Sequence, residues 1–433
     1  MFLARDRFGV KPLYYLSTER FVFASEIKAF LALNEFSPSL DEQIVPIVMQ
    51  QTQSYEGMTD QTMMRGVRRL LGGCSLTINN RGVARLKKWW ETMDYIPEIP
   101  DKYEEQVEQF REILFDAVRI RMRSDVPVGT CLSGGIDSSS ISCSMSWLHR
   151  HKNENNMRRC NPNWQQSFIA SFPGSQLDER EYADEVVRHI GATPHYWIFD
   201  SNEALKYNID SVWAMEDIYN GVAVPAWCTY RELRKKNVVV SLDGHGGDEL
   251  LCGYTWYLNW PLHQVNKNLY RDFHFSLLPA ILRNYDRCSM AHGIEIRMPL
   301  MDWRLVTFSF GLPASSKIGG GYTKRILRDA VAGIIPEKIY RRQSKIGFNS
   351  PMIEWYNGGM IPLLKFIVNH KLWIDSPFWD GPALKTYILN KSESKKWTYN
   401  DWGTTLKVWT MINIVLWQML FIERNIEGLQ LEM

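Results

Sequence analysis

The stretch LSGGIDSS at residues 132–139 ends an apolar run and is followed by a helical pattern from Ile136 onward. Its two glycines, Gly134 and Gly135, can adopt backbone angles that other residues avoid, so the chain can turn tightly off a strand. A helix that begins at such a turn presents free backbone N–H groups and the positive end of its dipole to an anion. The order of strand, glycine turn and helix therefore predicts a phosphate-binding corner in an α/β sheet.

The polar side chains of this stretch suit a phosphate group. Ser133, Ser138 and Ser139 supply hydroxyl donors, and Asp137 can hold a cation that neutralises phosphate charge. The stretch is not the G-x-x-x-x-G-K-[ST] nucleotide loop, because no lysine follows the glycines. The alternative interpretation is a Ser/Gly turn that caps a helix, with Asp137 as a partner of the helix dipole. For the complete stretch after a buried strand we favour the phosphate site.

Short apolar runs alternate with helical patterns in the later part of the chain. Apolar residues recur at three and four positions through residues 107–120, which predicts an amphipathic helix. Apolar runs at residues 126–132, 168–172 and 238–240 predict buried strands, and a further helix is predicted at residues 179–190. Buried strands that alternate with helices predict an α/β fold with a doubly wound parallel sheet.

The beginning of the chain has a β-rich pattern instead. Apolar runs at residues 14–16 and 21–24 surround a polar turn and predict a hairpin. Residues 70–78, interrupted by two glycines, predict a further strand with a bulge or turn.

A boundary between two domains is predicted where the pattern changes. Pro97 and Pro100 interrupt the β-rich pattern and mark a linker. The length of 433 residues also exceeds what one domain usually needs. We therefore predict one domain at residues 1–95 and a second at residues 104–433.

The composition excludes several classes of protein. Hydrophobic residues at 45% and charged residues at 23% are typical of a soluble globular chain. The 50 basic and 48 acidic residues give a formal charge of +2, so we expect no nucleic-acid partner. Seven scattered cysteines without a C-x-x-C pair indicate free thiols in a reducing compartment. The apolar stretch at residues 409–422 is too short and too polar to span a bilayer, so we expect a cytoplasmic protein without a membrane partner.

The stretch at residues 133–138 resembles the pyrophosphatase loop of ATP-dependent adenylating ligases. Other stretches, spread over nearly the whole chain, are similar to the asparagine synthetase family in particular. These stretches are RDRFGVKPLYY at 5–15, FASEIKA at 23–29, SFPGS at 171–175, DGHGGDE at 243–249, MAHGIEIRMPLMD at 290–302, TKRILR at 323–328 and RQSKIGFN at 342–349.

The resemblance implies a fold and a nucleotide site. The fold is an adenine-nucleotide α-hydrolase-like parallel sheet, preceded by a partial, β-rich glutaminase-like domain of the N-terminal-nucleophile type. The substrate is ATP, the cofactor is Mg²⁺, and backbone near Ala170 would face adenine. The residues implied for ATP and pyrophosphate are Leu132, Ser133, Gly134, Gly135, Asp137, Ser138, Ser139, Ala170, Asp243 and Gly244.

The resemblance also implies three catalytic residues, His245, Lys345 and Asp248. Asp137 and Asp248 would share Mg²⁺, since pyrophosphate transfer needs its charge neutralised. Lys345 would stabilise charge on the α-phosphate and pyrophosphate. His245 stands where the family has a glutamate that is thought to deprotonate the amine, and a histidine can also accept a proton near neutral pH.

Each of these residues also has a simpler interpretation. Asp248 and Glu249 could cap the next helix, and His245 could be a turn residue between glycines. Without the resemblance, Lys345 would be interpreted as a solvated surface lysine.

Two further charged pairs have ambiguous roles. Lys324 and Arg328 are four apart on a predicted helix and are interpreted as one solvated face rather than as phosphate contacts. Glu295 and Arg297 alternate in an apolar stretch and fit a buried structural pair as well as a catalytic one.

The family's glutaminase domain begins with a nucleophilic cysteine, and this chain departs from that pattern. Residues 1–3 already resemble the closing strand region of that domain, and Cys74 fits no nucleophile pattern. We therefore expect a chain that lacks the front of the glutaminase domain and hydrolyses no glutamine. Either the gene is truncated or split, or the ligase uses free ammonia.

The resemblance implies a reaction in two steps. A carboxylate, aspartate by default, attacks ATP to give an acyl-adenylate and pyrophosphate, and ammonia then displaces AMP to give the amide. The open alternatives are amidation of a sugar uronate, closure of a peptide ring, and a non-catalytic remnant that binds nucleotide. A sulfur-inserting tRNA enzyme is disfavoured, because paired cysteines and a basic tract are missing. A homodimer is possible.

Overall fold

The computed structural model describes residues 1–79, 82–151, 161, 164–199 and 201–424. Its strands form three sheets, of which one is parallel and two are antiparallel. The strands of the described residues are β1 Phe2–Ala4, β2 Tyr14–Ser17, β3 Phe21–Ala24, β4 Val67–Arg69, β5 Cys74–Ile78, β6 Ala84–Lys88, β7 Val128–Cys131, β8 Gln166–Ser171, β9 Thr193–Ile198, β10 Val240–Leu242 and β11 Glu295–Arg297.

Helices surround these sheets and fill the carboxyl-terminal part of the chain. The helices are α1 Val45–Gln51, α2 Tyr55–Met58, α3 Tyr103–Arg121, α4 Ile136–Arg150, α5 Arg180–Ile190, α6 Ser201–Lys206, α7 Asn208–Met215, α8 Val224–Lys235, α9 Gly247–Leu251, α10 Leu262–Arg271, α11 Leu278–Met290, α12 Trp303–Gly311, α13 Ala314–Lys317, α14 Arg325–Ala330, α15 Glu337–Tyr340, α16 Met352–Tyr356, α17 Ile361–Asn369, α18 Lys371–Ile374, α19 Gly381–Glu393 and α20 Trp402–Gln418. The helices predicted over residues 107–120, from Ile136 and over residues 179–190 are confirmed as α3, α4 and α5.

The parallel sheet has five strands in the order β11-β10-β7-β8-β9. From β7 the chain moves outward to β8 and β9, and it then returns to the other side of β7 to form β10 and β11. This reversal places a switch point between β7 and β10, and ligands of such open sheets bind in the crevice outside the strand carboxyl ends at that point. The predicted α/β fold with a parallel sheet is confirmed, and its crevice lies after Cys131 and Leu242.

The three predicted strands of this sheet are present, and two edge strands are additional. β7, β8 and β10 lie within or beside the predicted apolar runs, because they are the buried central strands. β9 has exposed and half-buried residues only, and it contains Pro194. An edge strand of this kind lacks a continuous apolar run, so the sequence pattern did not reveal it.

Residues 1–95, here called the N-terminal segment, contain the predicted hairpin. β2 and β3 pair antiparallel, with Tyr14 opposite Ala24, and β4 pairs with the other edge of β2. β1, β5 and β6 form a separate antiparallel sheet. The segment also contains α1 and α2, which the β-rich interpretation did not include.

Two large apolar cores hold the chain together. One surrounds the parallel sheet and includes Phe110 and Val128. The other joins buried side chains of the N-terminal segment, such as Tyr14 and Ile27, to the carboxyl-terminal helices, where Trp409 is fully buried. The division into domains at residues 1–95 and 104–433 stays a prediction.

Helix α20 is a long, apolar helix near the carboxyl-terminal end of the described chain. It begins at Trp402, well before the predicted start at residue 409, and continues as a π-helical turn to Glu423. The combined helix Tyr399–Glu423 is long and apolar enough to cross a membrane, but 78% of its most apolar window is buried inside the fold. Core helices of soluble proteins can be equally long and apolar, and the burial of this helix fits the predicted core helix.

The cysteines of the described residues are all free thiols. Five of the six are buried, and Cys131 is half-buried. Cys160 lies outside the described residues. The predicted absence of structural disulfides holds for the described part of the chain.

Buried ion pairs join the N-terminal segment to the rest of the chain. Arg69 of β4 lies 2.8 Å from Asp217 and 3.3 Å from Glu56, and Glu56 also accepts a hydrogen bond from Arg283 of α11 at 2.8 Å. All four side chains are almost fully buried. Buried ions of this kind are tolerated only when each keeps its partners.

A third buried carboxylate extends this contact. Glu216 accepts hydrogen bonds from the backbone N–H groups of Ile27 and Lys28, at 3.0 and 3.1 Å. The Arg287 guanidinium lies 3.1 Å from the same carboxylate, and Trp417 of α20 donates its indole N–H to the Glu216 carbonyl at 2.9 Å. One residue therefore binds three segments that are distant in sequence.

Neighbouring arginines of β4 give a matched test of the buried ions. Replacing Arg69 by Gln is expected to lower the free energy of unfolding by about 3–5 kcal/mol, because Asp217 stays buried without its guanidinium. The control is Arg68→Gln, whose half-exposed side chain pairs with Asp60 at 2.7 Å. It is expected to cost no more than about 1 kcal/mol. Urea unfolding followed by circular dichroism measures both, and equal losses would contradict the argument.

Candidate functional site

A cavity of about 520 Å³ opens at the switch point of the parallel sheet. Two loops form its floor: residues 133–138 after β7, here called the serine loop, and residues 243–249 after β10, here called the glycine loop. Residues 345–349 and the aromatic side chains of Tyr254 and Trp256 contribute to its walls. The crevice expected from the strand order is therefore a real cavity.

The geometry of the serine loop depends on glycine. Gly134 has φ +76°, and a Cβ there would collide with the backbone of Tyr182 and Ala183 at the start of α5. Ser133 Oγ accepts a hydrogen bond from the Gly135 N–H at 3.2 Å and lies 3.2 Å from Ser138 Oγ. The N-cap residue of α4 is Gly135, which has no side chain. It therefore offers no side-chain acceptor to the first N–H groups of the helix. Such a helix start can bind an anion.

The two loops touch each other because the glycine loop has no side chains at the contact. A Cβ at Gly244 would lie 2.8 Å from the backbone carbonyl carbon of Asp137, and one at Gly247 would lie 2.6 Å from Asp137 Oδ1. Any larger residue at either position would push the loops apart. The contact brings the carboxylates of Asp137 and Asp248 to the same ammonium group.

That ammonium belongs to Lys324. It donates a hydrogen bond to Asp137 and lies 2.6 Å from Asp248 Oδ1, while Lys345 lies 2.8 Å from Asp248 Oδ2. The contact to Asp248 Oδ1 is electrostatic, because this oxygen has no aligned hydrogen bond among the described residues. Two lysines thus compensate two carboxylates at the base of the cavity.

Burial and neighbouring charge move the pKa values of this cluster in different directions. Burial raises the pKa of Asp137 above its ordinary value, although Lys324 opposes the shift. Burial also acts to raise the pKa of Asp248, but Lys324 and Lys345 outweigh it and hold that pKa well below the usual range. The pKa of Lys345 is raised, since the attraction of Asp248 and Asp137 exceeds the effect of burial. The Lys345–Asp248 pair is therefore fully charged near neutral pH.

The position of Lys324 corrects the expectation from sequence. We expected Lys324 and Arg328 to share a solvated helix face, but Lys324 is buried and precedes α14, with φ +53°. Arg328 is also buried and donates hydrogen bonds to the carbonyls of Thr323 and Tyr340. The periodicity argument was wrong because the helix begins one residue after Lys324.

His245 lies in the cavity wall. It is half-buried, its ring lies tilted against Tyr285 of α11 at 3.8 Å between centroids, and its Nδ1 has no hydrogen-bond partner among the described residues. Burial lowers its pKa, although Asp243 and Asp248 oppose the shift. The imidazole is therefore neutral near pH 7, and a neutral imidazole can accept a proton.

The other residues expected at the nucleotide lie in different places. Leu132, Ala170, Asp243 and Gly244 line the cavity together with Ser133, Gly135, Asp137 and Ser138. Gly134 and Ser139 do not line it, and the Ser139 hydroxyl is fully buried without a hydrogen-bond partner in the described chain. The Asp243 carboxylate accepts hydrogen bonds from the Cys131 N–H and from the hydroxyls of Ser241 and Tyr230. These bonds hold the start of the glycine loop against β7 and α8.

Some contacts in and beside the cavity were not predicted from the sequence. Arg342 donates to the Gly134 carbonyl at 3.2 Å and to Glu179 at 2.6 Å, which ties the serine loop to the chain before Lys345. Tyr254 donates to Glu249 at 2.5 Å, and burial together with Asp248 raises the pKa of Glu249 to about 7. These contacts depend on tertiary packing and leave no local signal.

The pair Glu295 and Arg297 lies outside the cavity. Arg297 Nε donates to Glu295 at 2.8 Å, and its Nη1 donates to the carbonyls of Arg121 and Arg123. The Glu295 side chain is half exposed rather than buried. The pair is structural.

The carboxylates fit a magnesium ion that is shared with a nucleotide. Asp137 Oδ1 and Asp248 Oδ1 are buried oxygens without a hydrogen bond in the described chain, and a hard cation prefers oxygen ligands. No cluster of three or more His, Cys, Asp or Glu side chains with metal-binding geometry occurs among the described residues. Magnesium is usually held by one or two carboxylates plus substrate phosphates, which this arrangement allows.

The fold and the site define an α/β protein with a charged crevice at the switch point of its parallel sheet, and comparison with known proteins gives the family. The family model described as asparagine synthase matches residues 109–264 and 261–418. The model described as glutamine amidotransferase domain matches residues 1–90. Together these matches cover most of the chain.

Known relatives agree with these matches. Asparagine synthetase [glutamine-hydrolyzing] 1 of Bacillus subtilis (strain 168) is 25% identical, over 98% of this chain and 76% of the relative. Asparagine synthetase [glutamine-hydrolyzing] of Gallus gallus is 27% identical, over 82% of this chain and 63% of the relative. Amidase chyE of Penicillium rubens is 32% identical, over 58% of this chain and 37% of the relative.

The chain belongs to the asparagine synthase family. It is an ATP-dependent, amide-forming ligase of the asparagine synthase type, and its first 90 residues match the amidotransferase domain of such enzymes.

The contact between the two loops predicts a sharp effect of one added methyl group. Gly244→Ala is expected to displace the glycine loop from Asp137 and to reduce kcat/KM for ATP about 10²-fold, since a misplacement near 1 Å has effects of this size. The control is Gly403→Ala in α20, where a Cβ meets nothing within 4 Å. Pyrophosphate release measures activity, and unchanged activity in the Gly244 variant would contradict the proposed role of the contact.

Proposed function

We propose that this chain adenylates the side-chain carboxylate of aspartate and converts it to asparagine. The observation that carries the proposal is the pair of buried carboxylates and lysines beside the serine loop. This arrangement supplies backbone donors, ammonium groups and cation ligands around one polyphosphate. The strand order also supports a sheet of the adenine-nucleotide α-hydrolase-like type, with adenine near Ala170.

In the first step, an aspartate carboxylate oxygen bonds to the α-phosphorus of ATP. The bond to the bridging oxygen breaks and pyrophosphate leaves with that electron pair. The serine loop and the start of α4 bind the leaving pyrophosphate. Lys345 stabilises the charge that develops on it. Asp137 and Asp248 would hold Mg²⁺, which would neutralise phosphate charge.

In the second step, ammonia attacks the carbonyl carbon of the β-aspartyl-AMP intermediate. The bond to the adenylate oxygen breaks, AMP leaves, and the amide nitrogen loses one proton. His245 is a neutral imidazole in the cavity wall and accepts this proton. The amide product is asparagine.

A second candidate function is amidation of a different carboxylate by the same chemistry. His245 occupies a position at which, by the resemblance, asparagine synthetases carry a glutamate. The Penicillium rubens relative, which is named an amidase, shares 32% identity with this chain. The acceptor would then be a sugar uronate or a peptide carboxylate.

A panel of carboxylates distinguishes the two candidates. The full chain with ATP, Mg²⁺ and ammonium is expected to release pyrophosphate and AMP in equal amounts when aspartate is added. Asparagine should appear in the same amount, because each adenylate gives one amide. Release with a uronate or a peptide but not with aspartate would favour the second candidate. If the chain binds ATP but releases no pyrophosphate with any acceptor, both candidates are wrong and the chain is a non-catalytic nucleotide-binding remnant.

We also propose that this polypeptide does not obtain its nitrogen by hydrolysing glutamine. Cys74 is the only cysteine of the N-terminal segment, it is buried in β5, and burial raises the pKa of its thiol. A buried thiol of raised pKa is a poor nucleophile. We expect no release of glutamate from glutamine by this polypeptide, which an amino-acid assay measures directly.

Lys345 gives a test of the first step. Lys345→Met is expected to lower kcat for pyrophosphate release about 10²- to 10³-fold, as the loss of one preorganised charge donor does in other enzymes. Lys338→Met is the control, because Lys338 is half exposed and pairs with Glu181 at 3.5 Å outside the cavity lining. Equal rates in the two variants would remove Lys345 from the mechanism.

A further inference from the structure

A second cavity, of about 490 Å³, lies between the N-terminal segment and the region of the parallel sheet. It shares no lining residue with the cavity at the switch point. Residues 4–8 and 10–13 form one side, and Arg121, Met301 and Trp303 form the other. Its lining has a marked charge bias, with the cations Arg5, Arg7, Lys11 and Arg121 against the single acid Asp6.

The acid and the first arginine of this cavity are already satisfied by backbone groups. The Asp6 carboxylate accepts hydrogen bonds from the N–H groups of Phe8, Val10 and Lys11, at 3.2, 2.9 and 2.9 Å. Arg5 donates through three nitrogens to backbone carbonyls, at 2.7 to 2.8 Å. These contacts fix the shape of the loop and leave both charges without a role toward a ligand.

Two further cations have one ionic partner each. Lys11 lies 2.6 Å from Asp286 of α11, and its side chain is half exposed. Arg121 lies 2.8 Å from Asp302, and its side chain keeps partial exposure. Each remains available for an additional interaction, since neither has used all of its donors.

Arg7 differs from all of these. Among the described residues, its guanidinium makes no hydrogen bond and no ion pair, and its Nε is buried without a partner. Three indoles hold it instead: the guanidinium carbon lies 4.7 Å from the ring centroid of Trp90, 5.5 Å from that of Trp303 and 5.7 Å from that of Trp89. The indole N–H of Trp89 is a second buried donor without a partner.

Stacking on aromatic rings orients a guanidinium without using its N–H groups. The N–H edge of Arg7 is thus held in place and has no acceptor in the described chain. A planar guanidinium in this state matches a carboxylate or phosphate group, which accepts two parallel N–H bonds.

We propose that this cavity is a binding site for a small oxyanion, a carboxylate or phosphate group of a soluble metabolite. Arg7 is the bidentate donor, and Lys11 and Arg121 supply additional positive charge. Trp303, which is partly exposed at the cavity wall, offers an apolar face to the remainder of the ligand.

Calorimetric titration of the full chain with inorganic phosphate, and separately with succinate, tests this site. Saturable binding is expected, and Arg7→Gln is expected to weaken it at least about tenfold, because a hydrogen bond to a charged group contributes ~1.5–3 kcal/mol. The control Arg20→Gln removes an arginine whose side chain is 80% exposed and should match the unaltered chain. Phosphate that binds at the switch-point cavity contributes equally to both titrations, so the difference belongs to Arg7.

Comparing the two anions shows whether the natural ligand carries a phosphate or a carboxylate group. An effect of Arg7→Gln on phosphate alone assigns a phosphorylated metabolite, and an effect on succinate alone assigns a carboxylate. If neither titration differs between Arg7→Gln and the unaltered chain, the proposal is wrong.

A second variant guards against a folding defect. Arg7→Lys keeps a cation over the indoles but cannot form the bidentate pair, so its thermal unfolding should match that of the unaltered chain while its anion affinity falls. Anion binding by Arg7→Lys as tight as that of the unaltered chain would overturn the bidentate assignment.

Discussion

Two carboxylates held by two ammonium groups in a buried crevice are the constraint on which the rest of this structure depends. Asp137 and Asp248 would repel each other at such close approach, and burial would make that repulsion large. Lys324 and Lys345 offset it, and they come from segments far along the chain. The sheet, the helices that flank it and the segment after α14 must therefore fold together before the site exists. The glycine loop is shaped by the same constraint, since side chains at its contact would keep the carboxylates apart.

The contact between the N-terminal segment and the rest of the chain uses the same physical device. Arg69, Arg283, Glu56 and Asp217 are nearly inaccessible to water, and each depends on a partner across the contact. Interfaces between domains of one chain are often polar, modest in area and free to move. Here, buried ions and a shared apolar core join the two regions that match separate family models.

Features that depend on residues adjacent in the chain could be predicted from the sequence, and features that depend on tertiary packing could not. The serine loop could be predicted, because its glycines, its helix start and the preceding strand are adjacent in the chain. The central strands could be predicted from continuous apolar runs, whereas the edge strand β9 could not, since none of its residues is buried. Lys324 was misjudged because its role depends on where α14 begins and on what lies across the crevice. For Asp243, the position in the motif could be predicted from the sequence. Its hydrogen bonds with Cys131, Ser241 and Tyr230 could not, because they depend on the packed fold.

Helix α11 has contacts on every side. Arg283 and Arg287 bind the N-terminal segment, Asp286 pairs with Lys11 beside the second cavity, and Tyr285 contacts the His245 ring in the first. Only Met290, at its end, is exposed. Helix α11 is therefore a common support of both cavities: Ile281 and Tyr285 line the first, and Asp286 holds Lys11 of the second. A substitution that distorts this helix is expected to disturb both cavities.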